Sequence, residues 1–452
     1  MVEFINKYLF GTAVPALLIA AGIFYAIRLR VFHILHPARI IKALTKKNTA
    51  SGISPFRAVT LALAGTLGVG NIVGVSAAIG LGGFGAVFWM WISALCAMLL
   101  KYAEILLAMK HRRYDSQGNP HGSAMYYIRD FFSSHSLPRL GSTVACVFAI
   151  LYIINSVSMG SMIQANAISE SMEGVFGIPP IICAAAVTLI CTLLITRGTE
   201  AMAKFTEILV PLMTLGYIVI SLAVLIIKRD MLTNALTGII QDAFTPESAA
   251  GGIIGFLLSR SVRFGTMRGL VSNEAGCGTA PTAHASSNSS SAVEQGFWGI
   301  FEVFTDTIIL CTMTALVVIV NYGELKYRGS WIMLTIDAYS NVLGNAASVF
   351  LAAAVLCFGF ATIVCWAHYG IESVYYLNQR NFAKKVFIGI YSISVFAGFL
   401  AAPEAIWTVA DFAIGAMTVI NVLIICFMNK EVKLETDKYF WKKTNKIRKT
   451  ED

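Results

Sequence analysis

"GTLGVGNIVG", residues 65–74, lies inside a longer apolar run, "AVTLALAGTLGVGNIVGVSAAIGLGG" (58–83). Gly65, Gly68, Gly70 and Gly74 crowd around Asn71. A dinucleotide fingerprint would need G-x-G-x-x-G between a soluble strand and a helix, with an acid about 20 residues on. Here the spacing is G-x-G-x-x-x-G, and the stretch around residue 91 reads "FWMWISAL". The nucleotide reading fails. Two readings remain: small residues that let helices pack closely, and a membrane helix interrupted in its middle. Glycine inside a helix costs about 1 kcal/mol against alanine, so four in one run argue for non-helical backbone.

Composition sets the solvent. The 452 residues are 57% hydrophobic and only 13% charged, with mean hydropathy +0.71. Soluble domains carry about a quarter charged residues, and apolar stretches long enough to cross a bilayer recur. This is the composition of an all-α integral membrane protein. The beginning, "MVEFINKYLF", lacks a basic region followed by a cleavage site, so the first span is expected to stay. The nine cysteines form no C-x-x-C pair and read as small buried hydrophobes. The net charge of +9 comes from basic helix ends, not from a nucleic-acid surface.

Eleven spans are predicted, at 9–27, 58–80, 84–108, 142–171, 179–196, 204–227, 248–267, 297–320, 346–368, 386–402 and 405–428. Residues 28–57 hold seven basic residues and no acid, which predicts a cytoplasmic loop. "KHRR" (110–113), "NQRNFAKK" (378–385) and "WKKTNKIRKT" (441–450) then fall on the same side, with the N-terminus out and the C-terminus in. Eleven reads as one plus five plus five. An odd number of spans per half makes the second half enter from the opposite side, an inverted repeat. The expected organisation is an extra helix and basic loop (1–57), two five-helix halves (58–227 and 228–428) and a basic tail (429–452).

In such repeats the leading helix of each half is broken near the midplane, where freed N–H groups suit an anion and freed carbonyls suit a cation. The second and seventh spans occupy that position. The seventh, "AAGGIIGFLLSRSVRFG" (249–265), carries Gly251, Gly252 and Gly255.

The segment "GNIVGVSAAIGLGGFGAVFWMWISAL" (70–95) resembles the signature of the alanine or glycine:cation symporter family. "GSAMYYI" (122–128), "SMIQANAISESM" (161–172), "RGLVSNEAGCGTAPTAHA" (268–285), "VEQGFWGIFEVFTDT" (293–307) and "FATIVCWAHYG" (360–370) resemble further blocks of it. The resemblance implies a LeuT-like fold in a bacterial or archaeal plasma membrane. It also implies import of small neutral amino acids with sodium, sometimes with protons, and no enzymatic cofactor. Carried over, it implies a substrate site at Gly68, Val69, Gly70 and Asn71, with Gln164, Gly251, Gly252, Ile253 and Trp366. It implies a sodium site at the carbonyls of Ala64, Leu67 and Phe358 and the hydroxyl of Thr362. Val69, Ile253 and Ala361 depart from the family pattern, which keeps glutamine or serine as substrate, and proton coupling, as alternatives.

Other charged residues carry two readings each. Lys101 and Glu104, at i,i+3, read as a local pair or as snorkelling side chains. Glu302 and Asp306 lie deep enough to be structural acceptors, a gate or a proton site. Arg260, Arg263 and Arg268 read as anchors, or as a gate in which Arg263 and its neighbours pair with Glu274, Glu302 or Asp306. "FWMW" (88–91) reads as an interfacial aromatic belt.

Overall fold

A computed structural model describes residues 13–46, 52–244, 260–327 and 329–440, the side chains at 403 and 404 excepted. The helices begin where the sequence supplies a cap. Proline stands at the first turn of α1 (Val14–Arg28), α2 (Pro37–Leu44) and α3 (Pro55–Thr66), and Ser54 accepts the Arg57 N–H at the start of α3. α3 breaks and resumes as α4 (Val73–Gly82), and the two halves are bent by 57°. Gly83, at φ 81°, turns the chain straight into α5 (Gly85–His111). A Cβ on Gly85 would stand 2.5 Å from the Ala243 backbone nitrogen, so the corner can only be this tight without a side chain.

A hairpin pairs Arg113 with His121 and Tyr114 with Pro120, and leads into α6 (Ala124–Ser134). α7 runs over Pro138–Phe176 with a π-helical segment at Ser156–Met162. α8 (Pro180–Thr196), α9 (Thr199–Ile227) and α10 (Arg229–Ala243) follow. α11 (Arg260–Asn273) gives way to an irregular stretch and the short α12 (Pro281–Ala285). α13 (Ala292–Val320) carries a second π segment at Phe304–Cys311. Then follow α14 (Trp331–Leu343), α15 (Asn345–Leu377), α16 (Asn381–Gly398), α17 (Pro403–Phe427) and α18 (Asn429–Phe440).

Among the described residues six helices are long and apolar enough to cross a membrane, seven if the bent α3–α4 pair counts as one span. The expected seventh span, 248–267, is described only in part. Residues 248–259 lie outside the described residues, and the helix continues past 267 to Asn273.

Burial is inverted relative to a soluble protein. Ile208, Leu212, Leu215 and Val219 of α9, and Ile390 and Ile393 of α16, are exposed. Lys101, Glu104, Glu302, Asp306 and His284 are fully buried. Large exposed apolar faces are costly in water and favourable in lipid. α5 forms the axis, with every residue from Ala97 to Met109 buried. α1, α11 and α13 pack around it, while α15 packs on α3, α7 and α9.

Candidate functional site

The break between α3 and α4 spans residues 67–72. Leu67 makes the last helical bond, its N–H to Leu63 O at 2.7 Å. The Gly68 N–H then bonds Thr66 O at 2.8 Å, a turn too tight to be helix. Val69–Asn71 form one 3-10 turn before α4 begins. The freed groups find partners on α7 and α15. Val69 N–H donates to Gln164 Oε1 at 3.1 Å, and Gln164 Nε2 donates to Met159 O at 3.2 Å. Met159 lies in the π segment of α7, whose altered register leaves a carbonyl available. The Thr362 hydroxyl lies 2.8 Å from Ala64 O and 2.9 Å from Phe358 O. Trp366 Nε1 donates to Gly65 O at 3.4 Å.

Gly65, Gly68, Val69, Gly70, Gln164 and Trp366 thus line one narrow cleft, with Met159, Ile163, Val271 and Trp407, whose cavity of about 10 Å3 has room for a single water at most. Trp407 was not expected; as one tryptophan near the start of a long apolar span it gave no pattern to read. Gly68→Ala would place a Cβ 2.8 Å from Thr362 Oγ1 and 3.0 Å from Gln164 Oε1. Overpacking of this kind costs about 1–3 kcal/mol. The variant should stay folded by size-exclusion chromatography and lose most of its ligand binding, measured by calorimetry.

Asn71 faces away from the cleft lining. Its Nδ2 donates to Asp306 Oδ1 at 2.7 Å and to Asp306 O at 3.3 Å. Asp306 Oδ2 accepts from Ser272 at 2.9 Å and Thr307 at 2.7 Å. Asp306 therefore clamps the first break to the end of α11. Glu302 clamps it again one turn away. It accepts from Lys101 Nζ at 3.0 Å, His284 Nε2 at 3.1 Å and Thr66 Oγ1 at 3.3 Å.

Several expectations change. Lys101 and Glu104 neither pair nor snorkel, because α5 is buried all round at this level. Lys101 bonds Glu302 and, at 2.6 Å, Asn273 O, while Glu104 accepts the Gly278 N–H at 3.1 Å. Arg263 lies over the Phe264 ring at 4.9 Å and Arg268 over Trp407 at 5.0 Å. Among the described residues no ion pair joins Arg260, Arg263 or Arg268 to Glu274, Glu302 or Asp306. The acids are held by other donors, and beside Arg260 the Ser261 hydroxyl bonds Gly82 O at the end of α4. The aromatic run does more than anchor: Trp91 Nε1 donates to Thr312 Oγ1 at 2.7 Å.

Gly251, Gly252 and Ile253 lie outside the described residues. The described interruption on this side is Glu274–Ala280, with positive φ at Glu274, Gly276 and Gly278. It abuts the first break: a Cβ on Gly70 would meet Ser272 Cα at 3.8 Å. Its signal was the polar triplet Ser272-Asn273-Glu274 followed by two glycines and Pro281.

Chemically, the cleft offers backbone donors, one amide and two indoles, a set for binding a small polar molecule without covalent chemistry. Ala64 O, Phe358 O and Thr362 Oγ1 converge as oxygen donors of the kind a hard cation takes. Among the described residues no three His, Cys, Asp or Glu side chains are grouped to hold a metal ion.

The sodium:alanine symporter family profile matches residues 1–452. The chain is 31% identical to the Methanococcus maripaludis sodium/alanine symporter AgcS, over 100% of this chain and 98% of that protein. It is also 31% identical to the Bacillus subtilis protein described as a probable sodium/glutamine symporter, GlnT, covering 94% of this chain and 87% of that one. A crystal structure of an Eremococcus coleocola manganese transporter shares the fold at TM-score 0.55 and 12% identity, over 88% of this chain and 90% of that chain. The protein is thus a multi-pass membrane transporter and not an enzyme, and the chain belongs to the sodium:alanine symporter family.

Proposed function

We propose that this protein imports a small neutral amino acid, alanine or glycine, together with sodium, by alternating access in a LeuT-like frame. The frame is one extra helix (1–57), two inverted five-helix halves (58–227 and 228–428) and a basic tail. The observation that carries the reading is the break at Leu67–Asn71, whose backbone donors open into a cleft shared by Gln164 and Trp366. A zwitterion enters as the cleft widens: its carboxylate takes the Val69 N–H in place of Gln164 Oε1, and its small side chain lies against the indoles. Trp366 cannot step aside, since a Cβ on Gly160 would already stand 2.3 Å from its own Cβ. That wall favours alanine over glutamine. The sodium ion is assigned to Ala64, Leu67, Phe358 and Thr362.

Orientation, N-terminus out and C-terminus in, is supported by the company of the basic loops. Arg28 bonds Asn429 at 2.9 Å, and Lys110 pairs with Glu431 at 2.9 Å. The 28–57 loop, the end of α5 and the tail helix therefore share one face.

The test is uptake of labelled alanine into proteoliposomes under an inward sodium gradient, then with potassium replacing sodium. Accumulation should require sodium, and excess glutamine should compete weakly. Thr362→Val keeps the shape and removes the hydroxyl. A polar contact to a charged group is worth about 1.5–3 kcal/mol, so the sodium concentration for half-maximal uptake should rise roughly tenfold or more. Equal accumulation in both media would refute the sodium assignment.

A further inference from the structure

The interruption after α11 holds a carboxylate that substrate and sodium binding leave unused. Glu274 is 1% exposed and sits in the left-handed region at φ 53°, a conformation that a glutamate keeps only where its surroundings enforce it. Its Oε2 accepts from Thr279 Oγ1 at 2.7 Å, and its Oε1 has no hydrogen-bond partner among the described residues. The fixed charges facing it are Lys101, Glu302 and Asp306; the neutral weak acids around it are Tyr152, Tyr369, Cys277 and Cys365. The one ammonium in this group is already spent, on Glu302 Oε1 at 3.0 Å and Asn273 O at 2.6 Å. A buried carboxylate with an open oxygen and no cation of its own does not stay ionised away from water. A proton on Oε1 removes the buried charge and gives the open oxygen a donor of its own.

We propose that Glu274 is a proton-binding site of the transport cycle. A proton taken from bulk water sits on Oε1 while the break is closed. It returns to bulk water on the other side when the break opens, so each substrate crosses with a proton beside the sodium ion. Glu104 also has an open oxygen, Oε2, but it stands on the central helix α5, gripped through Oε1 by the Gly278 N–H and Asn421. Glu274 stands on irregular backbone against the cleft. Motion there exposes Glu274 and leaves Glu104 in place.

The inference rests on the symporter reading, and its test separates the two. Proteoliposomes with equal sodium on both sides receive labelled alanine and a lumen made more alkaline than the bath. For one proton per alanine, a difference of about one pH unit supports roughly tenfold accumulation. Wild type and Glu104→Gln should accumulate alanine. Glu274→Gln should exchange internal for external alanine at near the wild-type rate and accumulate none. Undiminished accumulation by Glu274→Gln, or dependence of uptake on sodium alone in wild type, overturns the proposal. Absence of alanine uptake under any gradient refutes the substrate reading instead. The proton site is then decided by infrared spectroscopy without substrate. The carboxylic-acid C=O absorption at neutral pH should lose a component in Glu274→Gln that Glu104→Gln keeps. If Glu274→Gln does not survive purification, the same band must change frequency in Glu274→Asp. A band that neither variant alters overturns the proposal.

Discussion

Asn71→Ala should cut sodium-driven amino acid uptake by about 10- to 100-fold in a protein that still folds. A hydrogen bond to a buried carboxylate is worth about 1.5–3 kcal/mol. The variant loses the 2.7 Å bond to Asp306 Oδ1 and the 3.3 Å bond to Asp306 O together. Asp306 keeps Ser272 and Thr307 on its other oxygen, so α13 and the end of α11 stay joined. What is lost is the tie that fixes the 3-10 turn, and with it the direction of the Gly68–Asn71 N–H groups. Binding donors misaimed by even an ångström lose most of their effect. The exchange variant Asn71→Asp with Asp306→Asn keeps the pair with its donor reversed and should recover part of the rate, whereas Asn71→Asp alone opposes two carboxylates and should not. Uptake measured beside thermal stability separates misalignment from unfolding. Full activity in Asn71→Ala would remove this residue from the site.

What could be read from the chain follows the range of the interactions. The first break was legible because glycine density and one asparagine in an apolar run are local signals, and the structure interrupts the helix there. The long spans were legible for the same reason: 84–108 became Gly85–His111 and 346–368 became Asn345–Leu377. The break expected at Gly251, Gly252 and Gly255 lies outside the described residues, and the interruption at Glu274–Ala280 was not expected. Arg260, Arg263 and Arg268 made the helix that runs to Asn273 look like a flank. Two of those arginines lie over the rings of Phe264 and Trp407, contacts that no spacing announces. Within the site, Gly68, Val69, Gly70, Gln164 and Trp366 meet in the cleft, while Asn71 turns to Asp306. The pairing of Lys101 with Glu302 was out of reach. Local spacing offers Glu104 as the partner of Lys101, and only the assembled bundle brings α13 against α5.

That pair gives the largest expected loss of stability. Lys101→Met keeps the length and apolar stem of the side chain and removes the charge. Breaking one side of a buried ion pair costs about 3–5 kcal/mol, because the partner charge is left uncompensated. Here Glu302 would keep only His284 and Thr66, and Asn273 O would lose its donor as well. The single variant should give a poor yield of monodisperse protein and a lower melting temperature. Lys101→Met with Glu302→Gln removes both charges while the amide can still meet Thr66 and His284, and it should regain most of the stability. Buried pairs replaced as a unit are often neutral. Transport should not return with it. Glu302 joins three elements at one carboxylate: α5 through Lys101, the first break through Thr66, and α12 through His284. Alternating access needs the two breaks to move as one, and a neutral amide ties them more weakly than a carboxylate held by an ammonium. A double variant that folds and transports at the wild-type rate would show that the breaks are coupled elsewhere. A single variant as stable as wild type would show that Lys101 is not the counter-charge on which this part of the bundle rests.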